Sequence, residues 1–89
     1  MKIEKKVTQK WFEQIMNGQK TFELRLADWK CEPGDSLVLV EIDESRNPTG
    51  RTLERQVGTI VKTKDIDYFT KEEIAEHGYQ VISLLEVSK

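Results

Sequence analysis

Lys20, Glu23 and Arg25 are the side chains whose types and spacing offer the most chemistry in this chain. They lie in the stretch GQKTFELR, residues 18–25, whose second half alternates polar and apolar residues as a half-buried strand does. Lysine and arginine bind phosphates or polar base edges, and a carboxylate accepts hydrogen bonds from exocyclic amines. An exposed ion pair contributes only about 0–1 kcal/mol, so stability alone gives little reason for this arrangement. The group is either a binding surface or an ordinary solvated edge.

Aromatic and cationic side chains elsewhere extend this set of candidates. Trp29 lies in the polar stretch Asp28-Trp29-Lys30 and is a candidate for stacking on a base. Arg51 follows a Thr-Gly turn and is a further candidate cation. Trp11, by contrast, belongs to an apolar stripe with helical spacing, which predicts a place in the core. The candidate ligand-binding residues are therefore Lys20, Glu23, Arg25, Trp29 and Arg51.

The other groups that often carry chemistry point to simpler roles. Cys31 and His77 are each present once, and nothing in their spacing places the thiol beside the imidazole. One cysteine and one histidine are too few for an ordinary structural zinc site, so we expect no metal and no cofactor. The acidic residues of the stretch KEEIAEH suit the solvated face of a short helix.

Composition limits the class of protein. The 89 residues fit one domain, and the net charge of −2 argues against a surface that coats a long nucleic acid. The charge is uneven, however, because residues 1–30 hold seven basic and four acidic residues while residues 31–89 hold seven and twelve. A basic face in the first third would suit a small anionic ligand or a short nucleic-acid segment. The apolar runs are too short to span a membrane, and the lone cysteine fits a reducing cytoplasm.

The pattern along the chain predicts about five strands and two short helices. A threonine at position 8 is a candidate helix cap, Gly18 is a good stop, and Thr70 with Glu73 forms a capping-box signature. Tight turns between several strands favour antiparallel pairing in a small, partly closed barrel. The expected strands cover residues 2–7, 21–26, 36–42, 53–63 and 79–87, and the second expected helix covers residues 71–77.

The stretch at residues 18–25 resembles the G-x-K-x-x-E-x-R signature of the ASCH domain, a member of the PUA-like superfamily. The stretches QKWFEQIMNG, PGD followed by SLVLVE, PTGR and HGYQVISL resemble a small bacterial and phage subfamily in the same order. The resemblance implies an α+β fold: a mostly antiparallel β-barrel of about five or six strands, flanked by one or two short helices. It also implies that residues 1–89 form a single ASCH domain.

The same resemblance implies an RNA-binding or nucleotide-binding role, with a nucleic-acid or modified-nucleoside ligand in a cleft between the first helix and the barrel. An alternative is a small amidohydrolase acting on an N4-acylated cytidine, with Lys20 and Glu23 as its catalytic residues. In that enzymatic branch a threonine stands where this chain has Glu23, and a carboxylate between two cations is a weak base. Glu72, Glu73 or Glu76 would have to supply the helical glutamate of that branch. A second alternative is a protein-interaction module that pairs through an exposed edge strand.

Overall fold

The computed structural model describes residues 1–87, which contain one three-stranded mixed sheet and two α-helices. The strands lie in the order β1-β2-β3, with β1 parallel and β3 antiparallel to the central β2. A short 3-10 turn precedes the second helix. In chain order the elements are β1 (Lys2–Thr8), α1 (Gln9–Met16), β2 (Ser36–Ile42), β3 (Pro48–Gln56), the 3-10 turn (Thr63–Asp65) and α2 (Lys71–His77).

The expected closed barrel of five or six strands is wrong, because the sheet that residues 1–87 form is open and has three strands. Residues 21–26 and 79–87 alternate as strands do, but they join no ladder. β3 ends at Gln56 instead of continuing to residue 63, since its partner strand begins only at Ser36. One further pair of hydrogen bonds joins Val57 to the turn before β2. The alternation of polar and apolar residues alone thus did not determine which segments pair with a neighbouring strand.

The parallel pairing of β1 with β2 also departs from the antiparallel expectation. Their register runs from Lys2 opposite Ser36 to Thr8 opposite Ile42. Parallel neighbours need a long crossover between them, and here α1 and the segment that follows it provide one. Because residues 17–35 belong to this crossover, the stretch GQKTFELR lies outside the sheet rather than within it.

The core lies between α1 and one face of the sheet. Phe12 and Ile15 of α1 pack with Val7 and Leu39, and all four side chains are buried. Trp11 remains 43% exposed, so the prediction that it belongs to the core is wrong. The three-stranded sheet covers only the middle of the apolar stripe of α1, and Trp11 lies at the margin of that stripe.

Residues 57–87 contribute no buried side chain. α2 is nevertheless well formed, because the predicted capping box between Thr70 and Glu73 is present in full. The Cα radius of gyration is 15.1 Å, whereas a compact domain of this length would have about 12 Å. Residues 57–87 therefore build no second core in the described part of the chain.

Candidate functional site

The carboxylate of Glu23 forms ion pairs with Lys20 and with Arg25, the two cations that the sequence singled out with it. Lys20 Nζ lies 3.1 Å from Glu23 Oε1, and Arg25 Nε lies 2.7 Å from Glu23 Oε2. The side chains of Lys20, Glu23 and Arg25 are 9%, 19% and 30% exposed. We call these three residues the Glu23 cluster. They form one connected, partly sheltered group of two cations and one anion.

The turn after α1 places Lys20 in this cluster. Gly18 has a φ of +82°, the left-handed conformation that a glycine adopts without steric cost, so the predicted helix stop is confirmed. The chain then folds back, and the Lys20 amide donates to Gln14 O of α1 at 2.9 Å. The Lys20 ammonium donates to the carbonyl oxygen of Phe22 at 3.1 Å and lies 5.5 Å from the Trp11 ring centroid. The cluster therefore begins against the exposed flank of α1.

Arg25 connects the cluster to the sheet. Its Nη2 donates to the carbonyl oxygen of Lys6 in β1, at 2.6 Å. The backbone groups of alternate residues point to opposite sides of a strand, and the carbonyl of Met1 already faces β2, where it accepts from the amide of Ser36. The carbonyl of Lys6 therefore faces away from β2, and Arg25 occupies the outer edge of β1.

Trp29, in the crossover between α1 and β2, contacts the same edge strand in a different way. The Lys5 ammonium is 3.9 Å from the Trp29 ring centroid, which is a close cation–π contact. The indole is half-buried rather than freely exposed. The lysine that meets it comes from β1, and not from the neighbouring Lys30. Trp29 therefore lies beside β1, and the ammonium of Lys5 covers one face of its ring.

Arg51 belongs to a second cluster, which is built on Glu41. Arg51 Nε and Nη2 donate to the two carboxylate oxygens of Glu41, at 2.9 and 2.6 Å, and Nη2 also donates to Glu13 at 2.5 Å. The hydroxyl of Thr49 donates to the same Glu41 carboxylate at 2.5 Å. We call Glu13, Glu41, Thr49 and Arg51 the Glu41 cluster. It joins α1, β2 and β3.

The burial of Glu41 and its ion pair with Arg51 indicate that the Glu41 cluster stabilises the fold. Glu41 is 1% exposed. Hydrogen bonds from Arg51, and then from Thr49, hold the pKa of the Glu41 carboxyl below its ordinary value, and Glu41 and Glu13 raise the pKa of Arg51. Sequence reasoning missed Glu41, although one signal was present: it is the single charged residue inside the apolar run SLVLVEI. A charge in such a run needs a buried partner.

The helical glutamates considered for catalysis have other contacts. The carboxylate of Glu73 accepts from the Thr70 amide in the capping box, and Glu76 lies 3.5 Å from His77. The capping hydrogen bonds hold the pKa of Glu73 below its ordinary value. Within residues 1–87, no group of three or more Asp, Glu, His or Cys residues is arranged to hold a metal ion. No helix in the described part of the chain is both long and apolar enough to cross a bilayer.

Two shallow cavities lie along β1, and one of them borders Lys6, whose carbonyl oxygen accepts from Arg25. One, of about 210 Å³, is lined by Glu4, Lys5, Lys6, Val40 and Pro48. The other, of about 220 Å³, lies at the junction of β1 and α1 beside the end of β2. The Glu23 cluster lines neither of them. A ligand of that cluster would lie on a surface beside α1 and the edge of β1.

The model of one protein family, described as a domain of unknown function (DUF3850), matches residues 3–84. The chain belongs to this family. The DUF3850 match covers all the elements of the fold except Lys2, the first residue of β1, and includes the Glu23 cluster, the Glu41 cluster and Trp29. Comparisons with curated proteins and with solved structures found no match.

Proposed function

We propose that this DUF3850 domain is an ASCH-like module that binds RNA or a nucleotide-like ligand at the Glu23 cluster, in the cytoplasm. The observation that carries the proposal is the clamping of two cations by one carboxylate. Glu23 holds the nitrogen donors of Lys20 and Arg25 in fixed positions, so little side-chain freedom is left to lose on binding. The cluster keeps a charge of +1, which attracts an anion.

The remaining donors of the cluster suit a phosphate or a polar base edge. Arg25 uses Nε and Nη2 within the protein, and its Nη1 group retains two N–H donors for a ligand. Arg25 is anchored on the carbonyl oxygen of Lys6 in β1. The same strand brings Lys5 over the ring of Trp29, which adds a cation and an aromatic surface to this edge. We expect Arg25 to donate to a phosphate of the ligand and Glu23 to accept a hydrogen bond from an exocyclic amine of a base.

Binding ranks above hydrolysis on the same contacts. Each oxygen of Glu23 accepts one hydrogen bond from a cation and keeps a lone pair that can accept from a base amine. A general base must instead take up a proton, which would remove the negative charge that pairs with both Lys20 and Arg25. Lys20 donates two hydrogen bonds as an ammonium, so its nitrogen has no lone pair to offer as a nucleophile in this arrangement. Cleavage of N4-acetylcytidine by the wild-type protein would reverse this ranking.

The test is a fluorescence-anisotropy titration with a short labelled pyrimidine oligoribonucleotide at several salt concentrations. Loss of one phosphate contact on single-stranded RNA lowers the slope of log K against log salt by about 0.7. We expect Arg25→Ala to weaken binding and to lower the slope by that amount. Arg55→Ala is the matched control, because Arg55 also donates to a backbone carbonyl, that of Glu54, but on β3.

Glu23→Gln separates the two roles in the proposal. The substitution keeps the shape of the side chain but removes the charge that competes with a ligand phosphate. We expect a smaller preference for cytidine over uridine, because the acceptor for the cytosine amine is weakened. The change in overall affinity combines loss of a repelling charge with loss of the clamp on Lys20 and Arg25, so the base preference is the readout. An unchanged base preference would contradict a contact between Glu23 and the base.

A further inference from the structure

Trp11 exposes its indole on the flank of α1 where the Glu23 cluster begins. The residue is 43% exposed, whereas its neighbour Phe12 is 1% exposed and belongs to the core. Tryptophan is highly buried on average in folded domains, although it is rarely buried completely. The packing of α1 on the sheet therefore uses only part of the area of Trp11, and the rest of the indole is open to a ligand.

Lys20 connects the ring of Trp11 to the carboxylate of Glu23. The Lys20 ammonium lies 5.5 Å from the Trp11 ring centroid and 3.1 Å from Glu23 Oε1. The ring centroid of Phe22 is 4.8 Å from the same nitrogen. These groups enclose the ammonium, since the Lys20 side chain is 9% exposed. Because Trp11 and Glu23 both lie against one nitrogen, a single nucleotide can contact the two of them.

The other tryptophan of the chain is less suited to stacking on a base. Trp29 is half-buried, and the Lys5 ammonium covers one face of its ring at 3.9 Å from the centroid. That lysine belongs to β1 and not to the Glu23 cluster. Trp11 is the more exposed of the two rings, and the cation that connects it to the cluster is Lys20 itself.

A second lysine lies beside the ring of Trp11. The ammonium of Lys10 is 4.7 Å from the ring centroid, and Lys10 is exposed. An exposed cation–π contact is weaker than the stacking of a nucleobase on an aromatic side chain. A base can therefore displace the Lys10 ammonium from the ring. The displaced ammonium remains close enough to pair with a phosphate of the same ligand.

We propose that Trp11 stacks on the base whose exocyclic amine donates to Glu23, so that the site takes an unpaired cytosine of single-stranded RNA. This inference rests on the proposed function and adds to it the residue that holds the base. Stacking tolerates every base, because each has a flat aromatic face, so Trp11 holds the base and Glu23 selects it. The bases of a duplex are already stacked on each other, and a duplex is therefore a poor ligand.

The test is a fluorescence-anisotropy titration of the short labelled pyrimidine oligoribonucleotide with variants of the full chain. Trp11→Leu keeps apolar area but removes the ring, and we expect it to bind about tenfold more weakly. Trp11→Phe keeps a ring and should bind with close to the wild-type affinity. Trp29→Leu is the matched control and should bind as the wild type does. Unchanged thermal unfolding verifies that each variant is folded.

A second probe separates the base from the phosphates. A stable abasic oligomer of the same length keeps the phosphates that Arg25 contacts but offers no base to Trp11. We expect the wild type and Trp11→Leu to bind this abasic oligomer equally, and Arg25→Ala to bind it more weakly. In proton NMR, the pyrimidine oligomer should show upfield ring-current shifts of its base protons with the wild type and not with Trp11→Leu.

Unchanged affinity in Trp11→Leu, together with weaker binding by Arg25→Ala, would overturn the role of Trp11 and leave the proposed function standing. Loss of affinity in Trp29→Leu alone would assign the stacking to Trp29 and would also overturn it. An equal loss for the abasic and the pyrimidine oligomers in Trp11→Leu would show that Trp11 only shapes the surface. Absence of any binding by the wild type would overturn the proposed function and this inference together.

Discussion

The guanidinium of Arg25 and the carbonyl oxygen of Lys6 meet at 2.6 Å on the outer edge of β1. The other edge of the sheet has a similar contact, where Arg55 Nη1 donates to the carbonyl of Glu54 at 3.0 Å. An open sheet edge invites pairing with another chain, and cationic side chains on the edge discourage it. These contacts speak against the alternative of a module that pairs through an edge strand.

Arg25→Ala should leave the protein folded. The residue is 30% exposed, so water can replace the arginine at both Glu23 and the Lys6 carbonyl. We expect the free energy of unfolding to fall by about 1 kcal/mol or less. Urea denaturation measures the change, and a variant that fails to fold would assign Arg25 to the scaffold and not to a ligand.

The Glu41 cluster should make stability depend on acid pH. The folded pKa of Glu41 lies below the ordinary value of 4.5, so the unfolded chain binds the proton more tightly than the folded chain. The stabilisation is present above the unfolded pKa and is lost as pH falls through the folded one. Urea unfolding at a series of pH values below about 5 should show this loss.

Glu41→Gln tests the assignment of that acid dependence. The amide keeps the volume but gives Arg51 no charge, so the variant should be less stable at neutral pH and should lose less stability on acidification. Glu13→Gln is the matched control, because Glu13 is the exposed partner of the same arginine, at 52%. Identical acid profiles for Glu41→Gln and the wild type would contradict the role of Glu41.

Phe12 should matter far more to the fold than its neighbour Trp11. Phe12 is 1% exposed and Trp11 is 43% exposed. Truncating a buried phenylalanine to alanine costs about 3–5 kcal/mol, a large part of the stability of a domain of this size. We expect Phe12→Ala to be largely unfolded and Trp11→Ala to give a cooperative transition by circular dichroism. Equal losses would contradict the observed orientation of α1.

The N-cap of α2 should stabilise that helix without affecting the global unfolding of the protein. Thr70→Ala removes an N-cap hydrogen bond worth about 1 kcal/mol of helix stability. Because α2 has no buried residue, we expect faster amide exchange at Ile74 and Gly78 without a shift of the main unfolding transition. Thr70→Ser should restore the wild-type exchange rates. A shift of the global midpoint in Thr70→Ala would show that α2 belongs to the cooperative core.

The sequence predicted local features better than long-range ones. The helix after Thr8, the strand at residues 36–42 and the capping box of α2 follow from signals within a few residues, and all three are confirmed. The hydroxyl cap expected at Thr8 is absent from the described structure, although Thr8 does stand at the N-cap position. The closed barrel failed because pairing depends on distant partners, which alternation in one segment does not specify.

In the candidate site, too, a contact between residues close in sequence was predicted and contacts between distant residues were not. Glu23 and Arg25 are two positions apart, and short-range spacing was enough to predict that they could pair. The second ion pair, between Lys20 and Glu23, depends on the fold-back of the chain after α1. The contacts of Arg51 with Glu41 and Glu13 join residues 10 and 38 positions apart, and no local pattern predicts them. Arg51 was grouped with the ligand-binding residues for its charge alone, and its partners form a separate cluster.

The most direct test of ligand binding at the Glu23 cluster is a titration that observes the arginine side chains themselves. A nitrogen-15 NMR titration of the labelled protein follows the Nε–H groups of its four arginines, Arg25, Arg46, Arg51 and Arg55, with the short pyrimidine oligoribonucleotide as the added ligand. We predict a saturable shift of the Arg25 resonance, since its Nε donates to Glu23, and little change at Arg55. A titration that leaves Arg25 unmoved while the oligonucleotide binds elsewhere, or does not bind at all, would contradict the account.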